Sequence, residues 1–243
     1  MHPNRTKWVL AVVFIALFAV SAQQSAAQEL RERISEAFFD GNTKEAMRLV
    51  KQLPDINSGT KDFPPPIFDA VTSDNLKCVK AMVEAGASVN VREKKWNMPL
   101  LNEVAAIGSE EIFDYLLAKG AKHDQLDKYG GNALEEAACC GHYEIATKLM
   151  KLGLKTKYPL HVACGLGDVR AVKIMIAGGA KVNEQTGWKN TPLVFAAMAK
   201  QPKTMKLLLD AKADTELTNV FGSTAMHYAA VGDDPALVTE LIA

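Results

Sequence analysis

The chain has 243 residues, 48% hydrophobic and 23% charged, so it is neither disordered nor of low complexity and is long enough to bury a sizeable core. Lys+Arg and Asp+Glu both number 28, a balance that argues against a nucleic-acid binder, which carries a basic excess. Four cysteines are too few for a disulfide scaffold.

The first predicted element is a leader. Arg5 and Lys7 precede an apolar run of 13 residues at 8–20, short of the ~20 that a membrane span needs. Small residues follow, and a cut is expected after Ala22, with Ala27 as the other candidate. No cysteine stands near the cut, which argues against a lipoprotein anchor. The pattern predicts a signal peptide over 1–22, a linker over 23–29 and a mature protein in the periplasm or another secreted compartment. Left uncut, the run would anchor the protein at the membrane.

From residue 30 to 243 the chain repeats itself. Gly86-Ala87-Ser88-Val89-Asn90 ends one line of the pattern, residues 179–183 end another, and Pro54-Asp55-Ile56-Asn57 ends an altered copy. Each line is preceded by a short helical stretch with paired small residues, as at Ala137-Ala138, Ala163-Cys164, Ala196-Ala197 and Ala229-Ala230. A linking position between two helices falls at Gly41, Asp74, Gly108, Gly141, Gly167, Lys200 and Asp233, at spacings of 33, 34, 33, 26, 33 and 33 residues. Thr191 and Thr224 are expected N-caps, and Pro192 sits at a first helical position, where its missing N–H costs nothing. Gly86, Gly120, Gly153 and Gly179 are placed to end second helices in the left-handed conformation. One such unit cannot bury its own apolar face, so stability comes from stacking.

A period of 33 with Thr191-Pro192-Leu193-Val194-Phe195-Ala196-Ala197, Tyr158-Pro159-Leu160-His161-Val162-Ala163-Cys164 and Thr224-Ala225-Met226-His227-Tyr228-Ala229-Ala230 resembles the ankyrin repeat. The resemblance implies an all-α solenoid of about seven helix-turn-helix repeats with short β-hairpin loops. The 26-residue step departs from it: seven residues are missing between Gly153 and Pro159, where a projecting hairpin would stand. This predicts a notch in the row of hairpin tips between Tyr129 and Trp188. The repeat around Gly108 carries one extra residue, and the sequence ends inside the last second helix.

Cys139, Cys140, His142, His161 and Cys164 have the residue types of a zinc site. Both histidines, however, fall on repeat positions, Cys164 replaces a paired small residue, and Cys78 fills an apolar helix position. No metal and no cofactor are therefore expected, and the four thiols are expected to be free. No nucleophile–base pair or paired carboxylates escape the repeat pattern, so no enzyme is expected.

The resemblance places partner contacts at the hairpin tips and on the concave side. The tips carry Trp96, Tyr129, Trp188 and Phe221; the concave positions carry Ile107, Cys139, Cys140, Leu166, Met198 and Val231. This apolar row, expected to be exposed, predicts a surface for a partner protein, with local packing of each tip on the next as the bland alternative. The expected function is non-enzymatic capture of a protein in the periplasm, as helper of a stress-defence enzyme or as an immunity protein that masks a toxin. A metal or redox protein built on the Cys/His group and a secreted effector that binds host proteins are the alternatives.

Overall fold

The computed structural model describes residues 26–60, 62–231 and 235–242, so the expected leader over 1–22 and the linking position Asp233 lie outside the described residues. The chain is already helical at residue 26, within the segment expected as a linker. No helix among the described residues is long and apolar enough to cross a membrane.

The helices stack as pairs. Helix α1 (26–39) pairs with α2 (Thr43–Val50), α3 (Pro66–Thr72) with α4 (Leu76–Glu84), and α5 (Leu100–Ile107) with α6 (Glu110–Ala118). Then come α7 (Ala133–Cys139) with α8 (Tyr143–Lys151), α9 (Pro159–Gly165) with α10 (Val169–Ala177), α11 (Pro192–Met198) with α12 (Pro202–Asp210), and α13 (Ala225–Val231) with α14 (Pro235–Ile242). Every described linking position has positive φ, including the non-glycine residues Asp74 at 47° and Lys200 at 54°. That conformation turns the chain sharply enough to lay the second helix against the first. Gly86, Gly120, Gly153 and Gly179 are left-handed as expected.

The Thr191 hydroxyl accepts from the Val194 N–H and caps α11. Thr224 behaves differently: its N–H and hydroxyl meet the His227 ring nitrogen. The recurring asparagines zip one repeat to the next. Asn57 accepts from the Ser88 N–H and donates to the Gly86 carbonyl, while Asn90 does the same for Lys122 and Gly120. The expected β-hairpins form as tight turns; among the described residues the sole bridge is Arg92 with Pro99.

The shortened step reshapes the stack. Its link is tied back to the start of α7. Asn132 donates to the Lys155 carbonyl, and the Thr156 hydroxyl donates to Glu135 at 2.6 Å. On the inner side α7 packs against α9 and also reaches α11 directly, whereas the outer helices α8 and α10 do not pack as the other second helices do. The buried apolar residues accordingly fall into two clusters that divide near the short link, with Val162 of α9 and Phe195 of α11 reaching across into the first. Between α8 and α10 an apolar cleft of about 460 Å³ opens on the outer side. The array is thus drawn together along its inner edge and splayed along its outer edge.

The expected notch does not form. Tyr129 and Trp188 have ring centroids 4.4 Å apart, because losing one hairpin brings its two neighbours into contact. Glycine permits this twice. A Cβ on Gly187 would lie 1.9 Å from the Tyr129 carbonyl oxygen, and one on Gly165 would lie 2.1 Å from the Ala138 carbonyl oxygen.

Candidate functional site

The four tip aromatics form one continuous group. Trp96 lies 6.2 Å from Tyr129 and 5.5 Å from Trp188, and Phe221 stacks 5.7 Å from Trp188, all between ring centroids. Such pairs each contribute about 0.5–1.5 kcal/mol beyond area burial. Backbone bonds continue the row, with the Lys128 N–H on the Trp96 carbonyl and the Val220 N–H on the Trp188 carbonyl. Across the short step that backbone pairing is replaced by the Trp188 indole N–H, which donates to Asp127 Oδ2 at 2.5 Å. The tips therefore pack on one another, and Phe221, 60% exposed, leaves the row open at its far end.

The concave row differs from expectation. Val231 is 86% exposed, but Cys139 is only 5% exposed and belongs to the core; Ile107, Cys140, Leu166 and Met198 are half-buried against it. For Cys139 and Met198 the cause is the inward bend, which brings α11 to α7 and sets both residues in one seam. Leu166 parts from the row altogether, lining the outer cleft with Met150 and Met175, while Met198 lines a pocket on the inner side. Trp96, Tyr129 and Trp188 are half-buried in their own cluster.

The Cys/His residues do not converge. The His142 ring N–H donates to the Ala106 carbonyl at 3.0 Å, and the ring lies where a side chain at Gly108 would be. The buried His161 ring N–H faces the Glu184 and Asn190 carbonyls, and burial pushes its pKa down to about 4. Cys164 is fully buried in the second cluster, with its thiol pushed up to about 12 by burial. Cys139 and Cys140 sulfurs are 3.7 Å apart; the neighbouring thiol and burial hold Cys139 protonated. Among the described residues no three such side chains are placed to hold a metal ion, and the four thiols are unbridged.

The inner pocket has a volume of about 250 Å³. Trp96, Trp188 and Phe221 enter it from the tips; Glu136, Phe195 and Tyr228 enter from the helices. These three helical residues occupy one and the same variable position of their repeats, directly before the paired small residues. Glu136 is half-buried, and burial, followed by the nearby Cys140, Asp127, Glu103 and Glu135, pushes its carboxyl up to about 8. Its neighbour Glu135 is buried and employed structurally, forming a capping box with Asn132. Sequence reasoning missed Glu136. The available signal was an acidic residue at a position that carries apolar side chains in the next three repeats.

The fold is a solenoid of stacked helix pairs. The family model for ankyrin repeats matches residues 67–159 and 160–243, and the chain belongs to the ankyrin repeat family. It is similar to a putative ankyrin repeat-containing protein of Treponema pallidum, 25% identical over 215 residues that cover 86% of this chain and 63% of that protein. It also resembles human SH3 and multiple ankyrin repeat domains protein 2, 26% identical over 69% of this chain but only 9% of the relative. The chain thus spans less than two thirds of these relatives' length. Among solved structures the human ASB11 ankyrin repeat domain aligns with a TM-score of 0.51 and 26% identity, covering 86% of this chain and 96% of that one. Ankyrin repeats generally mediate protein–protein interaction, and the fold is typically a non-enzymatic scaffold.

Proposed function

We propose that the protein captures a partner protein in the periplasm, after removal of residues 1–22, using the aromatic tip row and the inner edge at its C-terminal end. The observation that carries this reading is the continuous aromatic row ending in Phe221, with Val231 exposed in the following helix. Exposed apolar side chains that sit beside a preformed aromatic group are the composition of an interface centre. Capture is stoichiometric and needs no chemistry from the scaffold. A helper of a stress-defence enzyme and a toxin-neutralising immunity protein both use such a surface; a catalase-like or a toxin gene beside this one separates them.

Affinity capture from periplasmic extract tests the surface. Phe221→Asp with Val231→Asp is expected to lose the partner and keep the fold, at a cost of about 1–3 kcal/mol from the two ring contacts of Phe221, with Val231→Asp alone costing little because that side chain is exposed. Retained capture by the double variant places the contact elsewhere. The leader has its own test: the periplasmic form should begin at Gln23, and an intact Met1 there would refute processing.

A further inference from the structure

The inner pocket has a composition that the capture of a generic apolar surface does not explain. Its walls are aromatic, with Trp96, Trp188, Phe221 and Tyr228 from three different repeats, and it also holds the Glu136 carboxyl. None of the ion pairs among the described residues includes Glu136. The Cys139 S–H, a weak donor, stands 3.9 Å from Glu136 Oε2, and the Cys140 thiol lies close by. Asp127, Glu103 and Glu135 add negative potential around it. Aromatic rings beside a carboxylate attract a cation through the ring quadrupoles and the charge together, and the combination discriminates against anions. Trp96 already shows this behaviour on the row, where the Lys95 and Lys128 ammonium groups stand 4.9 and 5.6 Å from its ring centre. The volume of about 250 Å³ lies below the ~300–1,000 Å³ of a drug-sized site. It therefore suits a single headgroup or side chain.

We propose that this pocket binds an organic ammonium group, seated between the packed Trp96, Trp188 and Phe221 cluster on one side and Glu136, which neutralises it, on the other. The group is carried either by a small molecule or by a lysine side chain of the captured partner, and in the second case the proposal rests on the capture reading above.

Titration calorimetry of the purified full chain in phosphate buffer, with Trp96 and Trp188 fluorescence as second readout, tests it with three probes. Choline represents the free cation, Nα-acetyl-lysine amide the side chain, and 3,3-dimethylbutanol is the uncharged isostere of choline. At least one cation is expected to bind and the isostere at least tenfold more weakly; which cation binds better identifies the source. Glu136→Gln, which keeps the shape, is expected to weaken the cation at least tenfold and leave the isostere unchanged. Phe221→Ala, at an exposed wall, is expected to weaken the cation about two- to fivefold, the size of one cation–π contact.

Choline has no titrating group. Its affinity should therefore rise by up to about tenfold per unit from pH 6 to pH 8, as Glu136 loses its proton on binding. The other groups facing this region are Glu103, Asp127, Glu135, Cys139, Cys140, Tyr158 and Tyr228, with Lys95, Lys128 and Lys157 outside; His161, at about 4, stays neutral across this range. Failure of both cations to bind, equal binding of choline and its isostere, or full binding by Glu136→Gln overturns the proposal. These probes need no protein partner, so their failure leaves partner capture standing, and a failed capture leaves the pocket standing.

Discussion

Gly165→Ala is expected to destabilise the protein by about 2–3 kcal/mol, the cost of overpacking a close backbone contact. The new Cβ would stand 2.1 Å from the Ala138 carbonyl oxygen and 2.7 Å from its carbon. Both are backbone atoms of α7, so no side-chain rotation relieves the clash, and α9 must retreat. For a chain of this size that corresponds to a melting point lower by about 5–10 °C. Helix propensity alone predicts the opposite sign, since Ala in place of Gly in a helix gains up to ~1 kcal/mol. Gly178→Ala is the control. Gly178 ends α10 with φ −78°, and its added Cβ would meet nothing nearer than the Ile174 carbonyl oxygen at 3.3 Å. That variant should be neutral or slightly more stable. Thermal unfolding followed by circular dichroism reads both, and an unchanged melting point in Gly165→Ala would mean that α7 and α9 are not so closely seated.

The second large effect is expected at Asp127. Its carboxylate is nearly buried and accepts three bonds: the Tyr129 N–H at 2.7 Å, the Gly131 N–H at 2.9 Å and the Trp188 indole N–H at 2.5 Å. The first two build the turn; the third is the clasp across the missing hairpin. Asp127→Ala strips all three donors of their acceptor and should cost about 3 kcal/mol, since bonds to a charged group are worth ~1.5–3 kcal/mol each and the loop relaxes toward water. Asp127→Asn separates the two roles. In the last hairpin Asn219 builds the same turn, accepting from the Phe221 and Ser223 N–H groups. An asparagine at 127 can thus keep the turn but turns an amide N–H₂ toward the Trp188 N–H. It should cost about 1–2 kcal/mol and shift Trp188 emission to the red. Equal losses in the two variants would show that the clasp to Trp188 contributes nothing.

The repeat itself was legible because it is written in local chemistry. Left-handed positions recur in phase and hold even where the residue is Asp74 or Lys200, since the tight turn between paired helices imposes that conformation whatever stands there. Pro192 and Thr191 marked a helix start, and the asparagines were legible as a recurring position whose bonds across the seams only the structure revealed. Cys78, read as a small core residue, is fully buried. The tip aromatics were legible as a set, but not as one packed group.

What the sequence could not determine was the consequence of seven absent residues. A deletion is read along the chain as a gap, whereas in the stack it is answered by whatever neighbours can approach. Here Gly187 lacks the side chain that would hold its hairpin off Tyr129, and Gly165 lacks the one that would hold α9 off α7. Neither glycine has a positive φ, so no turn or cap signal marks them, and their role exists only when two segments far apart in sequence meet. The same closure buries Cys139, sends Leu166 to the outer cleft and places Glu136 among rings from other repeats. Local propensity and period fixed which residues form each repeat. The inner surface was decided by contacts between repeats, because burial and charge there depend on how closely backbones approach across the stack.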